Sequence, residues 1–334
     1  MKPNSKKFAF MDKDRQDFLR IKHKEASKFI NPDNGKIYKE YVEEINCPIC
    51  DVNDSSYVFS KSGFDFVKCN LCGLLHVNPQ LKLDIQDKIY KNSKTADYWI
   101  KVQKKSEEQN WNFIKKYKPA LNELAKLRPG RGKLLDIGCS IGQFMKHAKD
   151  DGWDVVGIEL NKDAAEIAKR SYNLEVFTSK IEETDFGDNK FDVVTLWGVF
   201  EHLTDPNFML HEIKKVLKKN GLVLFFVPNG HSLIIRMSRD NNSTVSGRAH
   251  LWYFTPNTIN KILNKNGYSK ISEFSILPQI HEIEHFLQYN TLYYESNSKN
   301  DEEFIIGNDI KGVLESFINE NKLGYKLITI AKYI

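Results

Sequence analysis

The sequence predicts a doubly wound α/β domain carrying a small four-cysteine ribbon on its N-terminal side. Three observations lead there. In Lys133-Leu-Leu-Asp-Ile-Gly-Cys-Ser-Ile-Gly142 an apolar run ends in an acid, a small-residue turn and a helix opening at Gln143. Glycines at such a turn let backbone N–H groups approach a ligand, and the helix N-terminus favours negative charge. From there strand-like and helix-like segments alternate, as a parallel sheet requires. Upstream, Cys47-Pro-Ile-Cys50 and Cys69-Asn-Leu-Cys72 form two C-x2-C pairs.

Composition bounds the rest. The 334 residues are 41% hydrophobic, enough for a large domain with an accessory module. The formal charge of +5 is spread along the chain and interleaved with acids, which argues against a nucleic-acid surface. The opening Met1-Lys-Pro-Asn-Ser-Lys-Lys does not resemble a signal peptide. The longest apolar runs, such as Leu222 to Val227, are too short to span a bilayer. A soluble, cytoplasmic protein without membrane insertion is expected, and no oligomeric state is specified.

Residues 1–45 read as a charged segment with helical character over 13–29. Residues 46–78 read as the ribbon, with short strands near 56–60 and 64–68 and an end at Asn78-Pro79. The spacing of the four cysteines suits a closed, structural Zn2+ site, because each knuckle offers two sulfurs to one metal. So small a segment would draw its folding energy from the metal. His76 is close by, but four thiolates already complete a tetrahedron. Residues 79–128 read as a helical linker with apolar positions at Trp99, Val102, Trp111, Ile114, Tyr117, Leu121 and Leu124. Residues 129–334 form the main domain. Strands are predicted at 133–137, 154–158, 174–177, 192–196, 222–227, 268–277 and 325–332. Asp205-Pro206 opens a helix predicted to stop at Asn220-Gly221, and Thr255-Pro256 opens another. Two insertions, 230–250 and 278–324, should lie by the C-terminal edge of the sheet, where open α/β sheets bind ligands. His281-Glu-Ile-Glu-His285 matches a short metalloprotease pattern and reads as chance on a polar helix.

The second strand ends at Glu159, placed to accept hydrogen bonds from ribose hydroxyls. A dinucleotide loop is G-x-G-x-x-G. Counted from Gly138, its later glycines would fall at Ser140 and Gln143, so a dehydrogenase fits poorly. The spacing Asp136-x-Gly138-x-Ser140-x-Gly142 instead resembles the first motif of class I S-adenosylmethionine (SAM) methyltransferases. Phe191 to Pro206 is similar to the fourth strand and following loop of that family, and Gly221 to Asn229 to its fifth strand.

This resemblance implies a Rossmann-like, seven-stranded, mostly parallel sheet whose last strand is antiparallel and inserts beside the fifth. It implies SAM as cofactor, with Asp136, Gly138, Ser140 and Gly142 along the methionine portion. Cys139 lies in the same loop as a small packing residue rather than a nucleophile. Glu159 would hold the ribose, Leu160 and Ile181 the adenine, and Trp197 and Gly198 would flank the methionine end. His202 matches a position facing the active site in relatives, and its titration range suits a general base. His250 and Tyr253 are alternative bases, and Asn229 and Arg236 fall at or near the acceptor pocket of a subset of the family. Trp252 and Phe254 are expected only to pack the following helix. Quinone O-methyltransferases carry a similar Glu-His pair after an earlier acid, and some hold a divalent metal there. Here the earlier position is Gly198, which argues against a catalytic metal.

A zinc ribbon on this methyltransferase type resembles proteins of surface-polysaccharide and sugar-modification pathways. That implies O-methylation of a small-molecule or lipid-linked sugar. Two alternatives are an RNA methyltransferase using the ribbon for RNA, and a non-catalytic zinc-ribbon interaction protein with a vestigial methyltransferase domain.

Overall fold

A seven-stranded sheet forms the frame of the main domain. The computed structural model describes residues 24–86, 95–108, 110–186, 190–242, 245–289 and 307–334, with residues 17, 20 and 21 besides. Ahead of the sheet lie β1 (Val42–Glu43), β2 (Ser55–Lys61), β3 (Phe64–Cys69), β4 (Leu75–Val77) and β5 (Gln80–Leu81). The sheet itself contains β6 (Lys133–Ile137), β7 (Asp154–Ile158), β8 (Glu175–Phe177), β9 (Phe191–Trp197) and β10 (Leu217–Pro228), and, beyond the short β11 (Trp252–Tyr253), β12 (Tyr268–Ile276) and β13 (Lys326–Tyr333). Its order is β12-β13-β10-β9-β6-β7-β8. The strands from β10 to β8 are mutually parallel, and β13 runs antiparallel between β10 and β12. The expected seven strands and the antiparallel insertion are therefore present.

The inner strands read as unbroken apolar runs because helices cover both faces. Leu134, Leu135, Val193, Val194, Leu224 and Phe225 are all fully buried. Helix starts follow local chemistry. Asn161 caps Lys162–Tyr172 by accepting from Ala164 N at 2.9 Å, and Asp205 caps Pro206–Val216 by accepting from Phe208 N at 2.9 Å. The second helix ends at Val216, ahead of the expected Asn220-Gly221 stop. Leu217 already pairs with Phe191, and the extra residues up to Leu222 are taken up as an irregularity in β10.

The linker is helical over Thr95–Glu108 and Lys118–Leu127, with a π-helical turn at Phe113–Tyr117 between them. Its start and its second half both reach core, Leu81 being buried in the cluster of the ribbon. Tyr117, Leu121 and Leu124 are buried, whereas Trp99, Trp111 and Ile114 are exposed. Of the helix expected over 13–29, residues 24–27 are helical, and much of the rest lies outside the described residues. The same holds for 290–306 of the second insertion. Among the described residues no helix is long and apolar enough to cross a membrane.

The ribbon sheet is larger than the N-terminal segment that begins it. β2 and β3 form a hairpin whose two-residue turn, Ser62-Gly63, has φ values of 51° and 83°, which match the right-handed strand twist. β4 adds to β3, and β11 then adds to β4 from more than 170 positions downstream. Trp252 and Tyr253 thus form an edge strand of the ribbon, which differs from the expectation that Trp252 only packs the following helix. The preceding loop lies on the same module. Val245 is buried with Phe59, Phe64 and Phe66. Gly247 sits so close that a Cβ there would lie 2.3 Å from Phe64 Cβ.

That approach gives a direct test. Gly247→Ala should destabilise the protein by about 1–3 kcal/mol through overpacking, read as a lower urea midpoint at unchanged slope.

Candidate active site

The glycine loop is built on backbone that only particular residues adopt. Gly138 (φ 72°), Ser140 (φ 51°) and Gly142 (φ 81°) are left-handed. A Cβ on Gly138 would lie 2.5 Å from Val199 Cγ2, and one on Gly142 would lie 2.8 Å from Ala168 Cβ. The loop is held down by Gly138 N and Cys139 N, which donate to Ile158 O at 2.7 and 3.0 Å. Cys139 is buried, and burial, then the nearby Asp136 and Glu159 carboxylates, push its thiol up. It packs under the loop.

Two carboxylates flank this loop. Asp136 is 1% exposed and accepts from Thr195 Oγ1 at 2.6 Å. Burial pushes its pKa up to about 8 despite that hydroxyl. Glu159 ends β7 and accepts from Ser140 N and from Asn161 N, each at 2.8 Å. Burial raises its pKa too, opposed by these backbone donors. Leu160 is 59% exposed beside it. Ile181 is instead buried in the core with Phe186. Trp197 ends β9 against Tyr117, Phe144 and Phe226, with ring centroids 4.9, 4.7 and 5.1 Å away. Gly198 (φ 70°) turns the chain out of the strand.

The next residues carry the second half of the site. Gly138 packs on Val199, and Gly198 lies near Glu201, where a Cβ would be 3.7 Å from Oε1. The glycine loop and the Phe200-Glu-His202 turn are therefore neighbours. Glu201 is fully buried, and its Oε1 meets Lys326 Nζ at 3.3 Å. Its Oε2 has no hydrogen-bond partner among the described residues. His202 Nδ1 lies 2.6 Å from Ala249 O. A carbonyl only accepts, so in the neutral ring Nδ1 carries the proton and Nε2 the lone pair. The His250 ring lies 4.9 Å from that of His202, edge to face. Donor atoms of Glu201, His202 and His250 all lie within 4.8 Å of one another.

The structure thus brings His202 and His250 together but sets other expected residues apart. Tyr253 is fully buried in the ribbon core, its hydroxyl accepts from Ser246 N at 2.9 Å, and burial drives its pKa well above the tyrosine range. A tyrosine so placed is a poor base. Asn229 is fully buried as well, with Nδ2 donating to Lys322 O and Gly324 O and Oδ1 accepting from His231 N. It ties β10 to the turn before β13. Arg236 is exposed on the short helix Leu233–Ser238, in a shallow surface hollow with Arg239, Asp240 and Phe286. Sequence reasoning missed Lys326. It lies in the last strand, and only the antiparallel insertion of that strand brings it to Glu201. The stretch from His281 to His285 lies on the helix Ile280–Tyr289, where Glu284 pairs with Lys311 at 3.2 Å. The side chains of His281 and His285 lie outside the described residues.

The four ribbon cysteines converge. Cys47 and Cys72 sulfurs are 3.5 Å apart, Cys50 and Cys69 sulfurs 4.0 Å, and all four lie within 4.8 Å. A tetrahedron with metal–sulfur bonds of about 2.3 Å has sulfurs about 3.8 Å apart, so the donors fit one tetrahedral ion. The knuckles close through Asp51 N to Cys47 O at 2.8 Å and Gly73 N to Cys69 O at 2.9 Å. Lys265 Nζ and Asn207 Nδ2 both donate to Pro48 O, at 2.9 Å each, and Lys261 Nζ donates to Cys72 O at 3.4 Å. The two lysines, from the helix Pro256–Lys265, would offset the negative charge of four thiolates on a divalent ion.

Residues 109–273 match a family described as a methyltransferase domain. An uncharacterised protein of Methanocaldococcus jannaschii is 24% identical over 155 residues, 46% of this chain and 73% of the relative. A ubiquinone biosynthesis O-methyltransferase of Pelagibacter ubique is 35% identical over 101 residues, 29% of this chain and 42% of the relative. The chain thus spans less than half the length of that curated relative. Among solved structures, an SAM-dependent methyltransferase of Thermotoga maritima matches with a TM-score of 0.46 and 19% identity, covering 71% of this chain and all of the other. With the glycine loop, the acidic strand end and the sheet order, the family match defines a class I SAM-dependent methyltransferase domain in this chain.

Asp136 makes a pH prediction. Its pKa is raised in the folded protein, so its contribution to stability is present at low pH and is lost as pH rises through about 8. The stability difference between ligand-free wild type and Asp136→Asn should shrink in that direction. A difference that stays flat from pH 4 to 9 would contradict the assignment.

Proposed function

We propose that this protein O-methylates a small-molecule hydroxyl, with a sugar, nucleotide-activated or lipid-linked, as the first acceptor class to test. One observation carries the reading: the glycine loop and the Glu201–His202–His250 cluster meet at the same sheet edge, joined by the contact of Gly138 with Val199. When bound, SAM supplies an electrophilic methyl group and takes the bond electrons on sulfur as the methyl leaves. Asp136, Gly138, Cys139, Ser140, Gly142, Glu159, Leu160, Trp197 and Gly198 form the cofactor side, with Ile181 packed beneath it. Glu159 accepts ribose hydroxyls with the lone pairs its backbone donors leave. His202 takes the acceptor proton at Nε2, because Nδ1–H is committed to Ala249 O. His250 is the runner-up base. Glu201, pinned by Lys326, stabilises positive charge on either ring. The similarity to ubiquinone biosynthesis O-methyltransferases favours oxygen as the acceptor atom. Cys47, Cys50, Cys69 and Cys72 hold one structural zinc.

The experiment uses SAM labelled in its methyl group with fractions of host extract. Label in acid-soluble metabolites or lipid-linked glycans supports the reading, whereas label in RNA overturns it. His202→Ala should keep SAM affinity and lose about 100-fold or more in turnover; unchanged turnover moves the role to His250. Elemental analysis should find one zinc per chain, and a Cys69→Ser variant should lose it.

A further inference from the structure

The acceptor-side histidines are held by a strand that belongs to the ribbon. Residues 249–252 face the catalytic turn on one side. His202 Nδ1 donates to Ala249 O at 2.6 Å, Leu251 N donates to Glu201 O at 2.8 Å, and Trp252 Nε1 donates to Leu203 O at 2.6 Å. On the other side the same residues pair with β4. Val77 N donates to Leu251 O at 3.0 Å, Trp252 lies opposite His76, and Tyr253 lies opposite Leu75. His76 is fully buried with its ring 5.8 Å from that of Trp252, and burial lowers its pKa, which keeps the ring neutral against the indole. The connection to the sulfurs is short. Cys69 N donates to Leu74 O at 3.0 Å, and Leu74 packs in one buried cluster with Cys47, Cys69, Cys72, Leu251, Trp252 and Phe200.

We propose that the cysteine ribbon is the positioning element of the acceptor site, with His76 and Trp252 as positioning residues that transmit the order of the metal-bound knuckles to His202 and His250. This rests on the zinc and histidine roles proposed above. The physical reason is that a two-residue strand has little stability of its own. The segment from Ala249 to Tyr253 holds its shape only while the ribbon edge is rigid, and its carbonyl at Ala249 selects the His202 tautomer. The cofactor loop has separate supports, namely Ile158 O, Glu159 and Thr195. Loss of the ion should therefore affect the histidines and spare SAM binding.

The test follows the ring-nitrogen and ring-proton NMR signals of His202 and His250, assigned with His→Gln variants of each, alongside calorimetric SAM binding and zinc content. Removing zinc with a chelator should turn the defined Nδ1–H signature of His202 into an averaged one, with SAM affinity held within about twofold and the signature restored by zinc. His76→Ala should cause the same change with its zinc retained, and His76→Phe, which keeps a ring against Trp252, should restore it. Protein that binds neither zinc nor SAM would overturn the functional reading and this inference with it. Zinc and SAM bound normally, with His202 unmoved by chelation or by His76→Ala, would overturn this inference alone. A parallel collapse of SAM affinity on chelation would also overturn it, because the ribbon would then stabilise the whole domain.

Discussion

Much of this structure depends on the antiparallel pairing of Leu75–Val77 with Trp252–Tyr253. Buried backbone groups need partners, and those of Trp252 and Tyr253, at the end of the loop after β10, lie outside their own segment. The ribbon supplies them through a strand edge that would otherwise be open, and open edges invite foreign strands. Each module thus completes the other. The ribbon gains a fourth strand and a cover for its sulfurs, and the Phe200–His202 turn gains a backing that fixes Glu201, His202 and Leu203.

The two halves of the site handle charge differently. Beside the glycine loop, buried Asp136 and half-buried Glu159 are held by a hydroxyl and by backbone N–H groups. Their raised pKa values express the cost of burying charge. Glu201, by contrast, has a cation, Lys326, so negative charge is placed beside His202 and His250 at smaller cost. Both arrangements sit at the end of the parallel strands, where helix N-termini and strand ends leave polar backbone groups pointing outwards.

The glycine loop and the acidic strand end were legible because their signals are local. Glycines at left-handed positions, an acid at a strand end and caps such as Asp205 and Thr255 each act within a few residues. The surroundings of His202 were only partly legible. His202 follows a recognisable strand, but Asn229, Arg236 and Tyr253 looked alike as polar residues in or beside an insertion. Burial distinguishes them: Asn229 spends its donors on Lys322 O and Gly324 O, Tyr253 is sealed in the ribbon, and Arg236 faces outwards.

The sequence by itself determined the alternation of strands and helices, the seven-strand count, the glycine loop and the convergence of four cysteines, because each is set by spacing within a short window. Only the tertiary structure decided that β11 joins the ribbon, that His250 meets His202 and that Lys326 meets Glu201. These contacts join residues far apart in the chain. No local periodicity encodes them, and they follow from which strand edges and buried groups remain to be satisfied once the sheet has formed.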